Sequence, residues 1–556
     1  MRMLLTAAAA LALAPGVMAA DTPAPAPPGP ICGEHAPQGG SAPATAILTG
    51  YGTGGFAVRT RSAKAQAFFD NGMQLGHAFA HKAAISAFQE AERLDPTCAM
   101  CAWGEAWARG PTINYPIDAK AQAELVVIAD RAAALAKDGP DKERQLTAAL
   151  QLRYHDGGGK GPGDYGFARA MDRIAHAAPD DSELAILAAD AWMIPTAHKG
   201  GRENLDKALG LLGPALTRNP NDTGAIHFYI HATEMDGVPG RALAYAERLE
   251  QLAPSASHLV HMPSHTFFWT GRYASAVASN VDAVAVDEAN ARRLKLGGDP
   301  FSLVYHGHNV SFGIGAAMID GDGSAALELA RPAIAGLAKA KTGPDPYAGA
   351  KVGSAVRSYF AEGRYGAPAE VAALAEPAAD QPYARAMWRY ARGEAAARRG
   401  DAAAVKAEAA EVQVTADDLK RAGGDGATQS ILIRIARLTL DGRAAMLERR
   451  PEDAARAFAE AAAMQDSKLK DYTDPPAWWF PERRSLAAAD LAAGKPADAA
   501  REARAVLSRW QDDPLTLLVL SRAETALGQA ADAEQRLTKA RNGWKGDLAK
   551  LGPADI

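Results

Sequence analysis

Two short runs, HFYIHATE at 227–234 and HLVHMPSH at 258–265, hold five of the chain's 13 histidines. Imidazoles gathered in this way suit metal binding: protonated rings would repel one another, whereas neutral ring nitrogens can share one ion. His227, His231 and Glu234 follow an i, i+4, i+7 spacing, and His258, His261 and His265 an i, i+3, i+7 spacing. On a helix, either pattern keeps its three side chains on one face. His308, within FSLVYHGHNVSF at 301–312, is a seventh candidate ligand. Imidazoles with one carboxylate fit zinc, copper or non-haem iron and do not choose among them. An open coordination position would allow metal-assisted hydrolysis or oxidation; without one, the chemistry is metal binding or delivery. The competing reading is a polar groove that hydrogen-bonds an extended peptide from an envelope partner, with no metal.

Other residues carry weaker signals. Tyr305, His306 and Asn309 flank His308 and are further groove candidates. Cys98 and Cys101 form a CxxC at a helix start, where a thiol pKa is lowered. No histidine follows them as in a c-type haem attachment, and the alternating strands and helices of a thioredoxin are missing. A local disulfide or a buried thiol pair is the expectation. A second metal site with His77 or His81 is disfavoured, because His77 and Cys101 would be offset by about 12 Å along parallel helices. DPPAWWFPERRS at 474–485 reads as a proline-capped loop entering a helix. Trp478 and Arg483 are its groove candidates, with Arg483 or Arg484 able to meet an anion. Proline inside HMPSH removes a helix hydrogen bond, so Pro263 either bends the backbone and re-aims His265 or sits in a first turn. Nucleophile-elbow, phosphate-loop, HExxH and dinucleotide motifs are absent.

The elements that must position these residues are helices in pairs. In 65–98, Phe68, Gly72, Ala84, Phe88, Ala91 and Pro96 stand at positions 4, 8, 20, 24, 27 and 32, the signature of a 34-residue tetratricopeptide unit. Gly494 and Gly528 are 34 residues apart, as are Pro220 and Pro254. About ten to twelve units are expected, giving an all-α solenoid over 56–556. His227 and His261 are also 34 residues apart, as are His231 and His265. In register they occupy positions 5 and 9 of successive first helices, on the face expected to line the concave groove. Neighbouring helices run roughly 8–10 Å apart, so the histidine-rich stretch at 223–312 would present one patch. His258 and His308 share position 2 once an insertion near 297–300 is allowed.

Residues 1–20 have a basic start, an apolar stretch and small residues before Asp21, which reads as a signal peptide for periplasmic or secreted export. Residues 21–55, rich in Pro, Gly and Ala, read as a linker. A net charge of -5 without long runs argues against a nucleic-acid partner, and no segment has the length and apolarity of a membrane span. Three cysteines are too few for a disulfide-built fold.

Together GMQLGHAFAHKAAISAFQEAERLDPTCAMCAWGEAWARGPTIN, HFYIHATE, HLVHMPSHTFFWTGRY, YHGHN and YTDPPAWWFPERRSL resemble a family of exported bacterial tetratricopeptide-repeat proteins, over most of 56–541. The resemblance implies a helical solenoid closed around an internal site. It implies functional positions at Cys98, Cys101, Trp103, His227, His231, Glu234, His258, His261, His265, His308, Asn309, Trp478 and Arg483. Gly307 stands where that family carries proline, and Trp269 where arginine is common.

Overall fold

The computed structural model describes residues 44, 46–158, 162–199, 201–293, 299–339, 348–413, 419, 426–552 and 555–556. The expected signal peptide and most of the expected linker lie outside them. Among the described residues the architecture is all-α, and the one strand-like contact is an isolated bridge between Thr473 and Pro476. Helix pairs follow one another from Ala63–His77 with His81–Leu94 to Pro514–Ala526 with Ala530–Gly543, and twelve such pairs can be traced among the described residues. No described helix is long and apolar enough to cross a membrane.

The pairing follows from small residues facing large ones. A Cβ on Gly72 would lie 2.6 Å from the Phe88 ring, and one on Gly442 would lie 2.4 Å from the Phe458 ring. Both contacts join residues 16 apart, so the same knob fills the same gap in distant units. Gly321 ends the His306–Asp320 helix in the left-handed region at φ 78°, which glycine adopts without a Cβ clash.

The solenoid curls until remote repeats touch. The indole of Trp510 packs on Phe268 and Trp269, with ring centroids 5.7 Å apart in both cases. The Tyr273 hydroxyl donates to the Gln511 carbonyl at 2.9 Å, and Lys545 N–H donates to the Asp320 carbonyl at 2.8 Å. At the other end, Asn114 Nδ2 donates to the Tyr305 hydroxyl at 2.9 Å. Residues 46–55, the end of the expected linker, run as an extended arm tied across the helices. Ser255 N–H donates to the Gly50 carbonyl at 2.9 Å, and Thr53 N–H donates to Thr223 Oγ1 at 2.8 Å.

If this closure holds the fold together, removing the buried Trp510 ring leaves a cavity between the two arms of the solenoid. Trp510→Ala is expected to cost about 3–5 kcal/mol, read as a lowered thermal midpoint and faster proteolysis. An unchanged midpoint would show that the contact contributes nothing to closure.

Candidate metal centre

Asp222 starts the first site helix: its carboxylate accepts from Ala225 N–H at 3.1 Å and caps Thr223–Met235. In the next unit the helix breaks at Met262 into Ser257–His261 and Pro263–Trp269. Pro263 has no N–H to continue the ladder, and His265 N–H instead reaches the Met262 carbonyl at 3.2 Å. The histidines of both units point inward. His227, His231, His261 and His265 are 0% exposed and His258 2%.

The face expected to line the concave groove is therefore shut off from solvent. The helical face is the expected one, but three other stretches cover it. The turn after Ala63–His77 brings Phe79 flat against His258, 5.1 Å between centroids, and edge-on to His227 at 4.4 Å. Phe79 holds φ 54°, a conformation that non-glycine residues rarely adopt and that recurs at ligand sites. Tyr305 covers His258 from another side at 4.3 Å. The loop between Pro451–Lys468 and Glu482–Ala492 supplies Asp474.

Three constellations have ligand atoms within 4.8 Å of one another: His261, His265, His308 and Asp474; His227, His231 and His258; and His231, Glu234 and His265. In the first, His261 Nε2 lies 2.9 Å from His265 Nε2 and 3.0 Å from His308 Nε2. Asp474 Oδ1 lies 3.4 Å from His265 Nε2 and 3.3 Å from His308 Nε2. In the second, His227 Nε2 and His258 Nε2 are 3.1 Å apart. Two nitrogens bound tetrahedrally at 2.0–2.1 Å from one zinc ion would be about 3.3 Å apart.

The outward-facing ring nitrogens determine what the inward-facing ones can do. His227 Nδ1 lies 2.7 Å from the His77 carbonyl, an acceptor only, so Nδ1 carries the hydrogen. His265 Nδ1 likewise donates to Glu234 at 2.7 Å. His261 Nδ1 faces Asn280 Oδ1 at 2.7 Å, while Asn280 Nδ2 donates to the Ala276 carbonyl; this orients the amide and makes His261 the donor. In the neutral tautomers so assigned, Nε2 of all three rings is a lone pair aimed at another nitrogen. A carboxylate, amide or carbonyl behind each imidazole is the usual arrangement around a metal.

Burial pushes His227 down to about 3 and holds His231, His258, His261 and His308 well below the ordinary imidazole range, with neighbouring imidazoles adding to the effect. His265 differs. Burial lowers it, but the carboxylates of Asp474 and Glu234 outweigh burial and raise it to about 9. A proton on His265 would relieve the repulsion at that ring. It does nothing for His231, whose two ring nitrogens are both buried with no hydrogen-bond partner. A cation among the rings would relieve the repulsion and take one of the two His231 nitrogens.

The remaining expected residues are distributed elsewhere. His306 Nδ1 and Asn309 Nδ2 both meet Asp287, at 3.3 and 2.9 Å, outside the three constellations. Trp478 is buried against Phe360 and Tyr390, centroids 5.1 and 5.2 Å away, and anchors the Asp474 loop instead of lining a groove. Arg483 is engaged by Asp466 and Glu502, and Arg484 by Asp513, so neither is presented to an anion among the histidines. Cys98 and Cys101 form a disulfide. Trp103 is buried and donates to the Leu146 carbonyl at 3.1 Å. His77 pairs with Glu183 at 2.5 Å and backs His227 through its carbonyl, and His81 lies against Phe79 at 5.2 Å. Asp474 is not among the residues the sequence points to, although its stretch is, through its tryptophans and arginines. The carboxylate that opens DPPAWWFP was the available signal.

No family model and no curated protein matches the chain. Similar solved structures include a human IFIT1 dimer with m7Gppp-AAAA, with TM-score 0.31, 12% identity, and 89% of this chain and 92% of that one covered. The TPR domain of P58(IPK) is another, with TM-score 0.21, 12% identity, and 84% and 99% covered. Likeness at this distance carries no argument about ligands. The chain is a tetratricopeptide-like helical-repeat protein on the strength of its own helix pairs.

Proposed function

We propose that this protein is a metalloprotein whose closed repeat shell holds a divalent transition-metal ion on His261, His265, His308 and Asp474. The observation that carries the reading is the convergence of imidazole nitrogens 2.9–3.0 Å apart, two of them with the hydrogen committed to Asn280 and Glu234. Three imidazoles and a carboxylate suit zinc or iron, with copper the next choice. When bound, the ion supplies Lewis acidity or redox chemistry. The chain's own residues orient the ligands, exclude water and keep His261 and His308 unprotonated.

Burial supports a resident ion over a cargo ion, because release would require the shell to open. Burial also removes support from peptide capture, since an extended chain lying on the solenoid would not meet these rings. Export remains part of the proposal through the signal-like residues 1–20. Oxidising conditions outside the cytosol are consistent with the Cys98–Cys101 disulfide.

Metal analysis of protein purified without a histidine tag tests this reading. At least one stoichiometric ion is expected in the wild type, with the four-donor ion lost in the His261→Ala/Asp474→Asn double variant. No bound metal, and none loaded from zinc, copper or iron salts, would sink the proposal. Glu234→Gln replaces the carboxylate behind His265 with a neutral amide. It should weaken metal affinity roughly 10- to 100-fold, as loss of an outer partner does, measured by competition with a chelator.

A further inference from the structure

The two three-imidazole groups are successive copies of one constellation. His227 and His231 lie on one unit, and His258 reaches them from the start of the next. His261 and His265 repeat those two positions 34 residues later, and His308 reaches them from the unit after that. The larger shift from His258 to His308 is the repeat length plus the insertion between the units. In each copy the first ring also meets the ring from the following unit in the same way. His227 meets His258 through Nε2 at 3.1 Å, and His261 meets His308 through Nε2 at 3.0 Å. Behind these rings, His227 Nδ1 is held by the His77 carbonyl and His261 Nδ1 by Asn280, both at 2.7 Å.

The copies differ in what completes them. His261, His265 and His308 have Asp474 as a fourth donor. His227, His231 and His258 have no such carboxylate among the described residues; the stacked ring of Phe79 and the ring of Tyr305 lie against His258 instead. Both nitrogens of His231 and Nδ1 of His258 are buried without a partner. Leaving buried polar nitrogens unmet costs free energy, and an ion bound by this group would recover part of it.

We infer that His227, His231 and His258 form a second metal site, making the centre dinuclear, with three protein ligands here against four at the neighbouring site. Three imidazoles leave a coordination position for water or a small anionic substrate, the arrangement of catalytic sites, whereas four protein donors close a site. The three-imidazole ion is therefore the one with a position left for an exogenous ligand. The constellation of His231, Glu234 and His265 lies between the two and links them. This inference rests on the metalloprotein reading above and adds the second ion and its open position.

Cobalt(II) titration of the chelator-stripped, untagged full chain tests it, followed by visible absorption and by metal analysis after desalting. Two equivalents are expected in the wild type. His258→Gln and His227→Gln should each bind one, and so should His308→Gln through loss of the other ion. Azide should change the cobalt spectrum of the wild type and of His308→Gln, but not that of His258→Gln. One equivalent in the wild type overturns the second site while leaving the first intact, and zero overturns both readings. A single ion lost equally from the His258→Gln and His308→Gln variants would mean one shared site and would also overturn the dinuclear centre. The wild-type count decides the matter even where a variant fails to fold, and circular dichroism of each variant identifies that case.

Discussion

Imidazole nitrogens with inward lone pairs, about 3 Å apart and shielded from water, repel one another unless a cation or a proton lies among them. His261 and His265 are in that position because Asn280 and Glu234 claim the hydrogens on their outer nitrogens. His227 joins them through the His77 carbonyl. The arrangement therefore depends less on the rings than on the acceptors behind them. A proton is a poor solution for most of the cluster, because burial and neighbouring rings hold five of these imidazoles well below their ordinary range.

The shell keeps that cluster buried and oriented. Burying polar groups is unfavourable unless they are hydrogen-bonded or paired, and the apolar rings packed beside the cluster keep water from serving that purpose. Phe79 stacks on His258, and Phe312 meets the rings of His261 and His265 with centroids 5.2 and 5.0 Å away. The 470–481 loop is pinned where it enters the interior. Trp269 Nε1 donates to the Thr473 carbonyl at 3.2 Å, Arg357 donates to the Pro476 carbonyl at 2.9 Å, and Trp478 packs between aromatic rings. These contacts bring Asp474 to His265 and His308 although it lies more than 160 residues away along the chain.

The helical-repeat fold was legible because its signals are local. Gly72 and Phe88 stand 16 residues apart, and their contact follows from packing within one helix pair. The histidines were legible for the same reason: ligand spacing within a helix is 3 or 4 residues, and the repeat carries it forward by 34. Asp474 sits in an irregular loop, where no period says which way a side chain faces. Trp478 and Arg483 show the converse, since residue types suited to binding are just as suited to anchoring a loop and to pairing with Asp466 and Glu502.

His306 and Asn309 mark the same boundary, beside His308 in sequence but turned toward Asp287. The sequence by itself determined that helices pair, that His227, His231, His261 and His265 share a face, and that the pattern repeats with the unit. Only the tertiary structure decided that the face is closed, that Asp474 and not an arginine reaches it, and that His258 and His308 serve different groups. The physical reason is that helix periodicity sets the direction of a side chain within its own turn. Curvature accumulated over many units sets which distant turns meet, and each inter-unit packing contact contributes to it.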